Sequence, residues 1–204
     1  MIHELECVRT LKWSELQTIW KNKEAVVWKD YINELGLKDW EDYRFGPHGT
    51  FTRYGYDAFK LHEQEWKEYN ISDLRLIAPR IYTGPFRSWT KYNTEFPNVS
   101  LTFFELILNA KVGKNKDIQW TMKSLIEGHP SFGIGLYEPE KGIISLFDGH
   151  HTFAALNLMI EKGFKGTWPS IPLYLAQVPV EAREFFYDLI KGRTEPIQLE
   201  PWAQ

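Results

Sequence analysis

Ile143-Ile144-Ser145-Leu146-Phe147-Asp148-Gly149-His150-His151-Thr152-Phe153-Ala154-Ala155-Leu156 passes from one hydrophobic period to another without a linker. Ile143 to Phe147 is a short apolar run of the strand type. Thr152 to Lys162 places Phe153, Leu156 and Ile160 on one helical face, and Gly163 closes it. Between them lies a small polar turn, Asp148-Gly149-His150-His151. Residues 143–175 therefore read as a strand, a tight turn, a helix and the start of another strand.

That arrangement has a chemical consequence. The first N–H groups of a helix have no intrahelical partner and point outward from its start. The helix dipole adds about half a positive charge there. Together they suit an anion, phosphate above all. Gly149 lets the backbone approach a ligand without a Cβ in the way. His150 and His151 are donors for phosphate oxygens, and either is a candidate acid or base near neutral pH. Asp148 is a candidate for holding a metal ion, orienting a histidine or activating a hydroxyl. The structural alternative is plainer: Asp148 as a helix cap, each histidine satisfied by a backbone carbonyl. Zinc on the tandem histidines is disfavoured, because helical neighbours point about 100° apart.

Outward from the turn, Phe132 to Phe147 holds two apolar runs around Pro139-Glu140-Lys141-Gly142, a hairpin signal with Glu138 and Glu140 at a solvent-facing tip. Residues 171–179 read as a strand, and 180–192 as an amphipathic helix with Phe185, Phe186, Leu189 and Ile190 inward. Upstream, 101–110 and 118–127 read as helices, and residues 71–84 as a short extended segment broken at Pro79 and Gly84. The first 70 residues read as mostly helical. Ser14-Glu15-Leu16-Gln17 has a capping-box form opening a helix over 15–21. A second helix spans 23–35, with Trp28, Ile32 and Leu35 on one face and Gly36 as its stop. Residues 45–56, rich in glycine and including His48, form a loop. Asp57 caps a helix ending near Asn70, on which Glu63, Glu65 and Glu68 form a solvated face. The expected division is a helical, aromatic-rich extension over 1–70, a domain over 71–192 and a tail over 193–204.

The chain has 204 residues, a net charge of −3 and 43% hydrophobic content, ordinary values for a soluble globular protein. That charge offers no overall attraction for nucleic acid, which is possible as a partner but not favoured. The lone Cys7 excludes an intrachain disulfide and a multi-cysteine metal site. No apolar run approaches the ~20 residues that span a bilayer, so no membrane partner is expected. The N-terminus lacks a secretory pattern, and a cytoplasmic location is expected. Nine Trp, ten Tyr and thirteen Phe are spread along the chain and read chiefly as core.

The segment ISLFDGHHTFAAL followed by IPLYLAQ resembles the core of the ParB/sulfiredoxin-like fold: a strand, a glycine-containing turn, a helix beginning (H/R)-x-A-A and a following I-P strand. The D-G-H-H-R form of its free serine kinases is the nearest motif. The resemblance covers roughly residues 70–178. It implies an α+β fold with a small mixed sheet and flanking helices. It further implies nucleotide phosphates (ATP, ADP or CTP) at Gly149, His150, His151 and Thr152, with Mg²⁺ held by Asp148. Two features depart from the family. His150 stands at the sulfiredoxin cysteine position, so cysteine chemistry is not available. Thr152 stands at the arginine position and removes a bidentate phosphate partner. Arg80 or Arg87 would then supply the missing cation. In the kinases a carboxylate deprotonates the acceptor hydroxyl, and Asp73, Asp148 and His151 are the candidates for catalysis. The implied activity is phosphoryl transfer to an unidentified small-molecule or protein acceptor, or nucleotide hydrolysis. The alternatives are a ParB-like nuclease and a non-catalytic, nucleotide-gated interaction module. A partition-type ParB also needs a DNA-reading helix-turn-helix after this domain, and the stretch after residue 178 is short for one.

Overall fold

The computed structural model describes residues 5–192 except 48, 54 and 97, and within it the side chains other than those of 53, 87 and 110. The strands are β1 (Leu5–Leu11), β2 (Trp66–Ile71), β3 (Ile81–Tyr82), β4 (Gly133–Glu138), β5 (Ile143–Asp148) and β6 (Leu173–Gln177). The helices are α1 (Trp13–Glu24), α2 (Lys29–Glu34), α3 (Trp40–Phe45), α4 (Thr50–Arg53), α5 (Leu74–Ile77), α6 (Arg87–Thr90), α7 (Phe103–Leu108), α8 (Ala110–Gly113), α9 (Lys116–Ile126), α10 (His150–Glu161) and α11 (Arg183–Ile190), with short 3-10 turns at Tyr56–Phe59, Ala78–Arg80 and Val180–Ala182. All six strands form one sheet in the order β1-β2-β6-β4-β5-β3. The β6–β4 and β5–β3 pairs are parallel and the others antiparallel. The expected α+β class, with one small mixed sheet and flanking helices, is what forms.

The central elements follow their sequence signals. Gly142, at φ +66, lets the hairpin turn back from β4 into β5. Asn115 caps α9 by accepting from the Asp117 and Ile118 amides. Helix α10 is apolar around most of its girth, and Thr152 through Met159 are all buried. It packs one face of the sheet: Phe153 lies over Gly133, where an added Cβ would approach its ring to 2.6 Å. Asn157 ties α10 to the turn before β3, its Nδ2 donating to the Ala78 carbonyl at 3.1 Å.

Four expectations are corrected. The helix expected over 57–70 is instead a 3-10 turn followed by β2. Trp66 pairs with Ala176 and Tyr69 with Leu173, so the sheet crosses the expected boundary at residue 70. The segment expected to be extended from Ile71 is strand only at Ile71 and in β3, and helical over 74–80, because Asp73 caps α5 by accepting from the Arg75 amide at 2.9 Å. Glu138 is fully buried, not solvent-facing: it accepts the Glu140 and Lys141 amides at 3.0 and 2.9 Å and lies 3.7 Å from Arg183. Burial raises its carboxyl, but those amide bonds and Arg183 more than offset this and leave it below the usual range. The helix expected over 15–21 starts earlier, capped by Lys12, whose amide donates to Glu15 at 2.8 Å.

The N-terminal helices cover the other sheet face through aromatic packing. Phe147 of β5 meets Trp20, Phe51, Tyr56 and Trp66 at centroid separations of 4.9–6.0 Å. All five rings are at most 4% exposed. Aromatic use as core, expected from the sequence, is realised here. Phe147→Ala should cost about 3–5 kcal/mol. Because this ring joins the N-terminal helices to the central strand, tryptophan fluorescence and far-UV dichroism should report one shared unfolding transition at a lower temperature. Two separate transitions would show that residues 13–59 fold apart from the sheet.

Candidate functional site

Strand β5 ends at Asp148, and the chain reverses into α10 through Gly149 alone. Gly149 is the N-cap residue at φ +88, and a Cβ there would lie 2.5 Å from the Phe132 carbonyl oxygen. Only glycine meets both constraints. The first residues of α10 line a cavity of about 630 Å³ at the carboxyl end of β5. This size suits a small-molecule ligand.

The two histidines have different environments. His150 is buried, with its ring stacked on Trp89 (centroids 5.4 Å apart, planes at 13°) and its edge against Phe86. Its Nε2 lies 2.6 Å from the Thr83 carbonyl oxygen, which can only accept, so Nε2 carries the proton. Burial pushes its pKa down to about 3, with the Thr83 bond acting weakly the other way. His150 is therefore a neutral wedge that fixes the turn. The expected phosphate donation through that nitrogen is corrected, and the plainer alternative, a histidine satisfied by a backbone carbonyl, is realised. His151 is exposed and lines the cavity, with its ring centroid 5.0 Å from that of Trp89. Crowding by the wall lowers its pKa against a weaker upward pull from Asp117, so at pH 7 it is neutral with one N–H to offer. Thr152 shares a 2.6 Å hydroxyl hydrogen bond with Ser131.

Asp148 does not cap α10. Its Oδ2 is shut off from solvent and has no hydrogen-bond partner. Such an oxygen calls for a donor or a cation. Across from it lies an ion pair that no local sequence pattern signals. Arg44 of α3, only 7% exposed, donates from Nη2 to Glu24 Oε1 at 2.5 Å and from Nε to Oε2 at 3.0 Å. Trp40 Nε1 donates to the same carboxylate at 2.9 Å. Burial and the nearby Asp148 charge raise the Glu24 carboxyl, which Arg44 opposes. Lys23 and Lys91 line the rim, and Trp28, Trp89, Tyr92 and Trp120 line the walls. Part of this site, Glu24 and Arg44 included, thus comes from residues before 60.

The structure brings together Asp148, Gly149, His150, His151 and Thr152 and leaves out two expected residues. The Asp73 carboxylate is occupied by Arg75 at 2.6 Å, and Arg75 with the α5 cap holds it below its ordinary pKa. Arg80 is exposed at the end of a 3-10 turn. Neither lines the cavity. His48 and the side chain of Arg87 lie outside the described part. Among the described residues no group of three or more His, Cys, Asp or Glu could hold a metal ion, and no helix is long and apolar enough to cross a membrane. Asp148 fits Mg²⁺ only in the form in which that ion arrives with a nucleotide, bound to phosphates and water and needing one or two carboxylates.

The chain matches no protein-family model, no curated protein and no solved structure.

The buried neutral His150 gives a pH prediction. The unfolded chain takes up its proton near the ordinary 6.5, the folded chain only near 3. Its contribution to stability is complete above 6.5 and declines as pH falls toward 3. Melting temperatures of wild type and His150→Gln, measured from pH 7 to pH 4, should converge as pH falls. A constant gap would mean that His150 is not held neutral.

Proposed function

We propose that this protein binds a nucleoside di- or triphosphate with Mg²⁺ in the cytoplasm and catalyses phosphoryl transfer or nucleotide hydrolysis, as a member of the ParB/sulfiredoxin-like superfamily. The single observation that carries the reading is a cavity lined by the first residues of α10 and walled by aromatic rings. The amides, Lys23 and Lys91 supply positive charge for phosphates. Trp28, Trp89, Tyr92 and Trp120 supply flat apolar surface for a base, and stacking on such rings contributes about 1–3 kcal/mol per base. The strand–DGHH–helix order supports the family reading.

Phosphoryl transfer demands chiefly positioning and charge neutralisation. His151 donates its N–H to a phosphate oxygen. The Asp148 carboxylate accepts the proton of the attacking hydroxyl or water as the new P–O bond forms and the bond to the leaving phosphate breaks. Asp148 would face the Mg²⁺ of a bound nucleotide, which would screen the phosphates from its charge. Without it, two carboxylates in the cavity oppose a polyanion, so metal-free nucleotide should bind much more weakly.

A thermal-shift screen of ATP, ADP and CTP, with and without Mg²⁺, tests the reading. At a hundredfold excess over Kd the Mg²⁺ complex should raise Tm by about 5–10 °C. His151→Ala should weaken binding roughly three- to tenfold, the effect of one hydrogen bond, without lowering the Tm of the free protein. Asp148→Asn should retain binding and cut turnover by about a hundredfold or more. No shift with any nucleotide removes the proposal. Binding without turnover in wild type would instead make the protein a nucleotide-gated module, and cleavage of DNA would make it a nuclease.

A further inference from the structure

We propose that Arg44 is the guanidinium that receives the anionic group of the ligand, oriented for that purpose by Glu24. The inference deepens the phosphate reading of the cavity and rests on it. Arg44 lines the cavity although it is buried. Its Nε and Nη2 are held by Glu24, and Nη1 makes no hydrogen bond among the described residues. A guanidinium has five donors in a planar fork, so this arrangement leaves donors for a second, coplanar partner. The Trp20 and Tyr43 rings lie 5.1 Å from its central carbon and restrict its rotation. Glu24 is itself pinned by Trp40. The fork is thus set before any ligand arrives, the condition under which little entropy is lost on binding.

Stability alone does not account for this arrangement. Burying an ion pair costs desolvation of both charges, and apolar replacements are often as stable or more so. Here the pair also faces a third charge, Asp148, and sits at the floor of a cavity beside the start of α10. An oxyanion there would meet both Arg44 and the first residues of α10, which line the same cavity. Arg–phosphate pairs of this kind are strong and directional. Arg44 so fills the role vacated at Thr152, and does so from a different element than either Arg80 or Arg87.

Inorganic pyrophosphate with Mg²⁺ is the probe, followed by calorimetry on the full chain. Arg44→Lys keeps the charge and loses the fork, and should weaken pyrophosphate binding at least tenfold. The double variant Glu24→Gln, Arg44→Met removes both buried charges together and should fold while losing the same affinity. If both variants bind pyrophosphate within threefold of wild type, Arg44 is structural and the proposal is overturned. If neither variant folds, the arginine side-chain ¹⁵N resonances of wild type decide: the Arg44 signals must move on adding pyrophosphate, and still signals under saturation overturn the proposal. Wild type that binds pyrophosphate through Arg44, yet nucleotides no more tightly, would sustain this assignment while removing the nucleotide reading. Wild type that binds neither would remove both.

Discussion

A backbone carbonyl 2.5 Å from where a Cβ at Gly149 would stand sets the geometry of this protein. With glycine there, β5 ends and α10 begins across one left-handed residue, and the chain of Phe132 and Gly133 packs directly against the turn. His150 is consequently directed inward to Thr83 and Trp89, and His151 outward to the cavity. The burial of α10 depends on the same turn, since the helix must leave the sheet at the angle that seats Phe153 over Gly133 and Asn157 under Ala78. Two adjacent identical residues thereby acquire opposite duties from a single backbone angle.

The electrostatics of the cavity depend on a different part of the chain. The Glu24 and Arg44 side chains come from α1 and α3, brought together by the aromatic cluster around Trp20 and Phe45. Packing of apolar rings, which is non-directional, thus delivers a directional charge pair to the end of β5. The helical N-terminal layer is both a cover for the sheet and one wall of the site.

The central portion was legible because local pattern and global structure agree there. The apolar runs about Pro139 to Gly142, the Gly149 turn and the alternation of α10 are each local signals, and each element forms near its expected bounds. The strand β2 was not legible. His62 to Tyr69 spaces its charges as an exposed helix does, yet Trp66 is fully buried and its neighbours pair with β6, a partner remote in sequence. Arg44 was illegible for a related reason: nothing beside it in sequence distinguishes a buried guanidinium from a surface one. Asp73 had a readable local partner, since Asp followed two residues later by Arg in a short helix start binds its own neighbour. Glu138 was misplaced at the hairpin tip because a carboxylate there is ordinarily hydrated. Two free amides of the turn replace that water.

The order of strands has a bearing on how the molecule is made. Trp66 pairs with Leu11 on one side and with Ala176 on the other, so during synthesis β1 and β2 can zip together as an antiparallel pair but must wait for β6 before they join the remainder. Until then their inner edge carries unsatisfied amides and carbonyls, a template for a wrong partner. Such late, long-range closure is slow in folding, and it places the most vulnerable interval of this chain's life between the emergence of its second strand and its sixth.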